Sequence, residues 1–179
     1  MYELSKRILI TILRWKIIGQ FPKKIKQYVV IAAPHTSWVD FPLGLLIRCF
    51  SFQKIHFIGK KTLFNFPHGV FFRWVGGFSI DRSKSDNKVQ FLIDKFHENE
   101  NFILAISPEG TRKKTKKWKT GYYYIAKGAG VPIVKIALDF KNKQVLIDSP
   151  FYPTDNFKKD IQEIKKYFKG ISGRHPHLS

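Results

Sequence analysis

The strongest constraint on the fold is a set of short, nearly unbroken apolar runs separated by segments of helical period. Tyr28-Val29-Val30-Ile31-Ala32-Ala33, Phe102-Ile103-Leu104-Ala105-Ile106 and the stretch 131–138 place apolar side chains on consecutive positions rather than alternate ones. A strand of that kind needs cover on both faces, as in a parallel sheet whose crossover helices lie on either side. Shorter strands are predicted over 54–58, 78–80 and 145–147. Helices are predicted over 41–50, 62–74, 85–99, 120–127 and 155–169; the third sets Val89, Leu92, Ile93 and Phe96 along one side. The expected fold is therefore α/β, a mostly parallel central sheet flanked by helices. No repeat, linker or low-complexity segment divides the 179 residues, which read as a single domain. Within it, 1–26 is an N-terminal helix with a basic linker, 27–170 the α/β core and 171–179 a polar tail.

Residues 3–19 have the pattern of one amphipathic helix. Leu4, Ile8, Ile12 and Trp15 form its stripe, Lys6, Arg7, Arg14 and Lys16 supply cations, and Gly19 with Pro22 closes it. With Lys23, Lys24 and Lys26 following, the segment suits a helix lying in a membrane interface, and equally one packed on its own core. The uncharged run from Ile8 to Leu13 is far shorter than the roughly 20 residues a bilayer requires. Met1-Tyr2-Glu3 opens on an acid, so no signal peptide is expected. Peripheral attachment to the cytoplasmic face of the cell membrane is the localisation this implies.

Charge bears on partners more than on fold. Thirty-two Lys and Arg against thirteen Asp and Glu leave a formal charge of +19, which favours nucleic acid, an anionic membrane surface or phosphorylated substrates. A non-enzymatic basic module for nucleic acid or anionic membrane is the alternative reading, although no recognised nucleic-acid signature appears. Seventeen Phe, seven Tyr and four Trp suit a core, a lipid surface or a long apolar substrate. A single cysteine, Cys49, excludes an internal disulfide and any zinc-ligand cluster of cysteines. His56, His68 and His97 lack partners at ligand spacing, and no metal is expected.

Three strings carry chemistry. In Pro34-His35-Thr36-Ser37-Trp38-Val39-Asp40, directly after a strand, a histidine precedes an aspartate by five positions. A neutral imidazole can take a proton from an attacking hydroxyl while a carboxylate fixes its tautomer. No Gly-x-Ser-x-Gly is present, so such a base would act on a hydroxyl of the substrate. The same histidine also suits a structural hydrogen bond. In Gly76-Gly77-Phe78-Ser79-Ile80-Asp81-Arg82, two glycines permit close backbone approach and Arg82 emerges past a short strand, able to hold a phosphate or to pair with Asp81. Ser107-Pro108-Glu109-Gly110-Thr111-Arg112 places an acid, a hinge glycine, a hydroxyl and an arginine after another strand. It opens a basic run through Lys113, Lys114, Lys116, Lys117 and Lys119 that suits a solvated or lipid-facing loop.

In this order, and with Val131-Pro132-Ile133-Val134 after them, the strings resemble the lysophosphatidic acid acyltransferase family, the glycerolipid acyltransferases with an HxxxxD motif, from about Val29 to Ala137. Ala33-Pro34-His35-Thr36-Ser37 and Lys117-Trp118-Lys119-Thr120-Gly121-Tyr122 look like a short bacterial branch. The resemblance implies phospholipid biosynthesis by acyl transfer to a lysophospholipid such as 1-acyl-glycerol-3-phosphate, with acyl-CoA or acyl carrier protein thioester as co-substrate and no other cofactor. It implies His35 as general base, Asp40 as its orienting partner, Arg82 and Arg112 on the acceptor's phosphate, and Glu109, Gly110 and Thr111 shaping that site. Pro34 stands where the family commonly has Asn, Lys135 replaces a second proline, and one N-terminal helix stands where related enzymes use two.

Overall fold

A computed structural model describes residues 4–5, 7–51, 53–80, 88–115 and 117–178. Seven strands form one sheet: β1 (Lys16–Ile18), β2 (Gln27–Ala33), β3 (Ile55–Gly59), β4 (Gly77–Ser79), β5 (Phe102–Ile106), β6 (Ile133–Asp139) and β7 (Gln144–Ile147). Their spatial order is β1-β7-β6-β2-β5-β3-β4, and every neighbouring pair is parallel except the β6–β7 hairpin. Among the described residues four α-helices connect the strands, α1 (Asp40–Ser51), α2 (His68–Trp74), α3 (Lys88–Glu98) and α4 (Gly121–Gly128), and a fifth, α5 (Phe157–Tyr167), follows β7. This is the expected α/β architecture.

The continuous apolar strands are buried on both faces. In β2, Val29, Ile31 and Ala33 join α3, α4 and α5 in one core through Leu92, Phe96, Tyr122, Ala126 and Ile164. Tyr28 and Val30 face the other way and pack with Leu43 and Ile47 of α1 and with Leu9 and Trp15. Fully burying a side chain of this size contributes about 1.5–3 kcal/mol, which is why alternation is absent from these strands.

At the N-terminus the structure departs from the sequence pattern. The helix expected over 3–19, and with it the continuous membrane-interface helix of 1–26, is cut short: among the described residues 4–5 are helical, Arg7–Ile12 are π-helical, and β1 follows. Leu13 donates its N–H to the Ile8 carbonyl, Arg14 takes φ 55°, and Trp15 N–H returns to the Leu9 carbonyl, which ends the helix. Trp15 then enters the core edge-on to Phe140, their centroids 4.9 Å apart. Lys16 to Ile18 pair with Gln144 to Leu146, so the sheet's backbone hydrogen bonds outcompete the helical period.

One further departure is smaller. The helix expected over 62–74 divides into a 3₁₀ turn, Lys61–Phe64, and α2, because Pro67 cannot continue the first turn. The described part of the polar tail, 171–178, is tied to the core by its backbone. Phe140 N–H donates to the Ser172 carbonyl at 2.9 Å, and His175 N–H donates to Thr36 Oγ1 at 3.2 Å. Lys135, where a proline was the family's habit, is buried in β6. Its ammonium lies 2.7 Å from Asp148 Oδ2 and 5.3 Å from the ring centres of both Phe151 and Tyr167.

Candidate active site

β2 and β5 lie side by side in register, Ile31 opposite Ile106, and both end at the same edge of the sheet. From there the chain leaves in opposite senses. α1 follows β2 over one face toward β3, whereas α4 follows β5 over the other face toward β6. Two crossovers diverging from neighbouring strands open a crevice at the strands' carboxyl ends, the place where open α/β sheets bind ligands. The loops bordering it hold His35 and Glu109.

The His35 turn is fastened by its own side chains. Asp40 opens α1 and is buried, and its Oδ2 accepts the Ser37 N–H at 2.9 Å. Ser37 Oγ accepts the Val39 N–H at 3.2 Å. The same Oδ2 lies 2.9 Å from His35 Nδ1. An ionised carboxylate only accepts, so Nδ1 carries the ring proton and Nε2 keeps its lone pair. The histidine side chain is 33% exposed against 3% for the aspartate, so the ring reaches solvent and the carboxylate does not.

Glu109 joins the second loop to the first. Its Oε2 accepts the main-chain N–H of His35 at 2.7 Å. Burial pushes the Glu109 carboxyl above the usual carboxylate range; the bond from His35 and the nearby imidazole oppose this, and Asp40 adds to it. Gly110 takes φ +64°, a left-handed turn that an L side chain adopts only with strain, and the Lys119 chain lies over its α-carbon. Past that turn Thr111 points outward, its Oγ1 accepting the Lys113 N–H at 3.1 Å. The Arg112 guanidinium returns over the Trp38 ring, 4.5 Å from its centre. Stacking of this kind holds a guanidinium flat and leaves its N–H edge available.

Of the residues singled out in the sequence, His35, Asp40, Glu109 and Arg112 are thus brought together, with Gly110 and Thr111 on the same loop. Arg82 and Lys116 lie outside the described residues. Two participants carried no sequence signal read as functional. Trp38, the platform for Arg112, lies between His35 and Asp40, and no sequence pattern marks its contact with Arg112. The docking of His175 on Thr36 left no pattern to find. Beyond the basic run, a shallow cleft of about 450 Å³ lies between Thr115, Trp118 and α5 with the segment after it, lined there by Lys165, Lys166, Phe168 and Lys169.

A mostly parallel sheet with a His–Asp pair and a stacked arginine at its switch point defines an α/β enzyme-like domain, and sequence comparison gives its class. Residues 14–139 match the Acyltransferase family, to which the chain belongs. It is 30% identical over 135 residues to the 1-acyl-sn-glycerol-3-phosphate acyltransferase of Haemophilus influenzae, covering 72% of this chain and 54% of that protein. The chain therefore spans about half the length of this curated relative. The crystal structure of the 1-acyl-sn-glycerophosphate (LPA) acyltransferase PlsC from Thermotoga maritima has the same fold, with a TM-score of 0.64 at 22% identity over 94% of this chain and 75% of that one. Among the described residues no helix is long and apolar enough to cross a membrane.

Proposed function

We propose that this chain is an O-acyltransferase that moves a fatty acyl group from an acyl thioester, on CoA or acyl carrier protein, to the free hydroxyl of a lysophospholipid such as 1-acyl-glycerol-3-phosphate. The observation that carries this reading is the 2.9 Å contact between His35 Nδ1 and Asp40 Oδ2, which leaves Nε2 as a base on a half-buried ring that still reaches solvent, in the same turn as the Trp38 that carries Arg112. Nε2 takes the proton of the acceptor hydroxyl as its oxygen attacks the thioester carbonyl. The tetrahedral oxyanion collapses, the C–S bond breaks, and the thiolate recovers the proton from the imidazolium. Asp40 stabilises that imidazolium and keeps the ring in its productive tautomer.

Arg112 holds the acceptor's phosphate through the N–H edge that stacking on Trp38 leaves free, and Arg82 supplies a second cation. Glu109 and Gly110 set the shape of the loop, Thr111 borders it, and the protein works as a peripheral enzyme on the cytoplasmic face of the cell membrane. The names of the relatives support a lysophospholipid acceptor. Mass spectrometry of products from a panel of lyso-lipids, each offered with acyl-CoA and with acyl carrier protein thioester, tests the reading. A diacyl product from a phosphate-bearing acceptor is expected. Thioester hydrolysis alone, or no turnover with any pair, contradicts it.

A further inference from the structure

α2 is apolar on its outer side as well as its inner one. Inward, Gly69 fits so closely that a Cβ would stand 2.0 Å from the Phe64 carbonyl oxygen, and Phe72 packs on Phe41 and Phe64 at 5.5 and 6.3 Å between ring centres. Outward, Phe66 and Trp74 are 88% and 72% exposed, with Val70 between them and Phe71 beside them. Val70 and Trp74 stand four residues apart, so they make one ridge along α2, and Phe66 stands exposed just before its N-cap, Pro67. A surface helix of a water-soluble domain carries polar residues there, and a ridge of this kind marks an interaction surface.

Charge selects the partner. Between Arg7 and Ile80 the chain carries eleven Lys or Arg and one acid, Asp40, which is buried against His35. Lys60 and Lys61 precede α2 and are exposed. The N-terminal turn shares this side of the sheet, because Leu9 lies in the same core as Leu43 and Ile47 of α1, and it too exposes apolar side chains, Ile10 and Ile12. Two apolar projections on one face, in a segment without an exposed acid, are complementary to an anionic bilayer and repel a second copy of this chain.

We infer that α2 and its leading Phe66 are the element by which this chain docks on anionic membranes, with Phe66, Val70, Phe71 and Trp74 entering the headgroup boundary. α2 packs on Phe41, the residue after Asp40, so docking brings the His35 turn to the bilayer surface where a lipid acceptor would be met. The proposal rests on the lysophospholipid reading for its purpose and not for its geometry.

Flotation of the whole chain with vesicles of phosphatidylcholine containing about 30 mol% phosphatidylglycerol tests it. Phe66→Ser/Trp74→Ser should bind at least about 10-fold more weakly than the parent. Its transfer to a short-chain lyso-acceptor below the micelle concentration should be unchanged. Because a double substitution can disturb folding, Trp74→Phe gives a milder second readout: brominated lipids should quench the parent's fluorescence, and the Trp74-dependent part of that quenching should vanish in the variant. Undiminished flotation of a folded double variant, no Trp74-dependent quenching, or a parent dimer on size exclusion that the double substitution dissolves would each overturn the inference. A parent that floats through α2 yet transfers no acyl group keeps the docking and overturns the enzymatic reading; active protein whose flotation ignores α2 does the reverse.

Discussion

The main-chain N–H of His35 donates to Glu109 Oε2 at 2.7 Å, so one hydrogen bond ties the loops after two neighbouring strands. Its consequence is positional. The ring of His35 is aimed from one side by Asp40 and its backbone is held from the other by a residue 74 positions later.

Glu109→Gln keeps an acceptor for that N–H and should retain most acyl transfer, whereas Glu109→Ala leaves a partly buried donor unpaired. The second change should cost about 1–3 kcal/mol in urea unfolding. Burial raises the Glu109 carboxyl, so the folded state holds that proton more tightly than the unfolded one. Relative to Glu109→Gln, the parent should therefore gain stability as pH falls through the raised value toward the ordinary carboxylate range. Parallel unfolding curves at neutral and mildly acidic pH measure this. A gap between the two proteins that does not change with pH would contradict it.

Arg112 depends on Trp38 for its orientation. Trp38→Ala and Arg112→Lys should each raise the KM for a phosphate-bearing acceptor by roughly 10-fold, with a smaller effect on kcat, since a lysine keeps the charge but loses the planar fork. An acceptor without phosphate should not distinguish parent from variant. Steady-state kinetics on the two acceptors separates these outcomes.

Gly19 stands at φ +87°, with its α-carbon so near β7 that a Cβ would lie 2.0 Å from the Ile147 carbonyl oxygen. Gly19→Ala should destabilise the protein by about 2 kcal/mol or more, through strain and through separation of β1 from β7. Thermal unfolding checks this. A loose lipid-bound helix over the same residues would tolerate the change, so the result also tests the assignment of β1.

Asp160 is the buried acceptor of the Tyr123 hydroxyl at 2.9 Å, the Thr154 N–H at 2.6 Å and the Thr154 hydroxyl at 2.9 Å. Burial alone would raise its carboxyl, but these bonds and Lys127 outweigh it and hold the group below the usual range. A carboxyl lowered on folding stabilises above its unfolded value, near pH 4, and loses that contribution as pH falls through the folded one. The difference in unfolding free energy between parent and Asp160→Asn should be steady from neutral pH down to about 5 and shrink below about 4. Growth of the difference at low pH would contradict the assignment.

Strand β5 is legible to the residue because five apolar side chains in a row, Phe102 to Ile106, have no alternative to double-sided burial. The His35 and Glu109 strings are legible for a related reason: each follows such a strand, so topology alone delivers them to one crevice. Residues 16–18 are not legible. Three residues carry too little pattern to compete with a helical stripe running from Leu4 to Trp15, and what ends the helix is a backbone turn at Arg14 and pairing with a strand 128 positions later in the register Lys16 to Gln144. The place of Trp38 under Arg112 is equally invisible, because the contact joins residues that only the folded crevice brings near.

The central claim is that Nε2 of His35 is the base for acyl transfer. Purified His35→Ala, shown by its thermal transition to be folded, should transfer acyl groups to the accepted lyso-lipid about 10²–10⁴-fold more slowly than the parent. A folded His35→Ala protein that forms the diacyl product at the parent's rate would contradict the account.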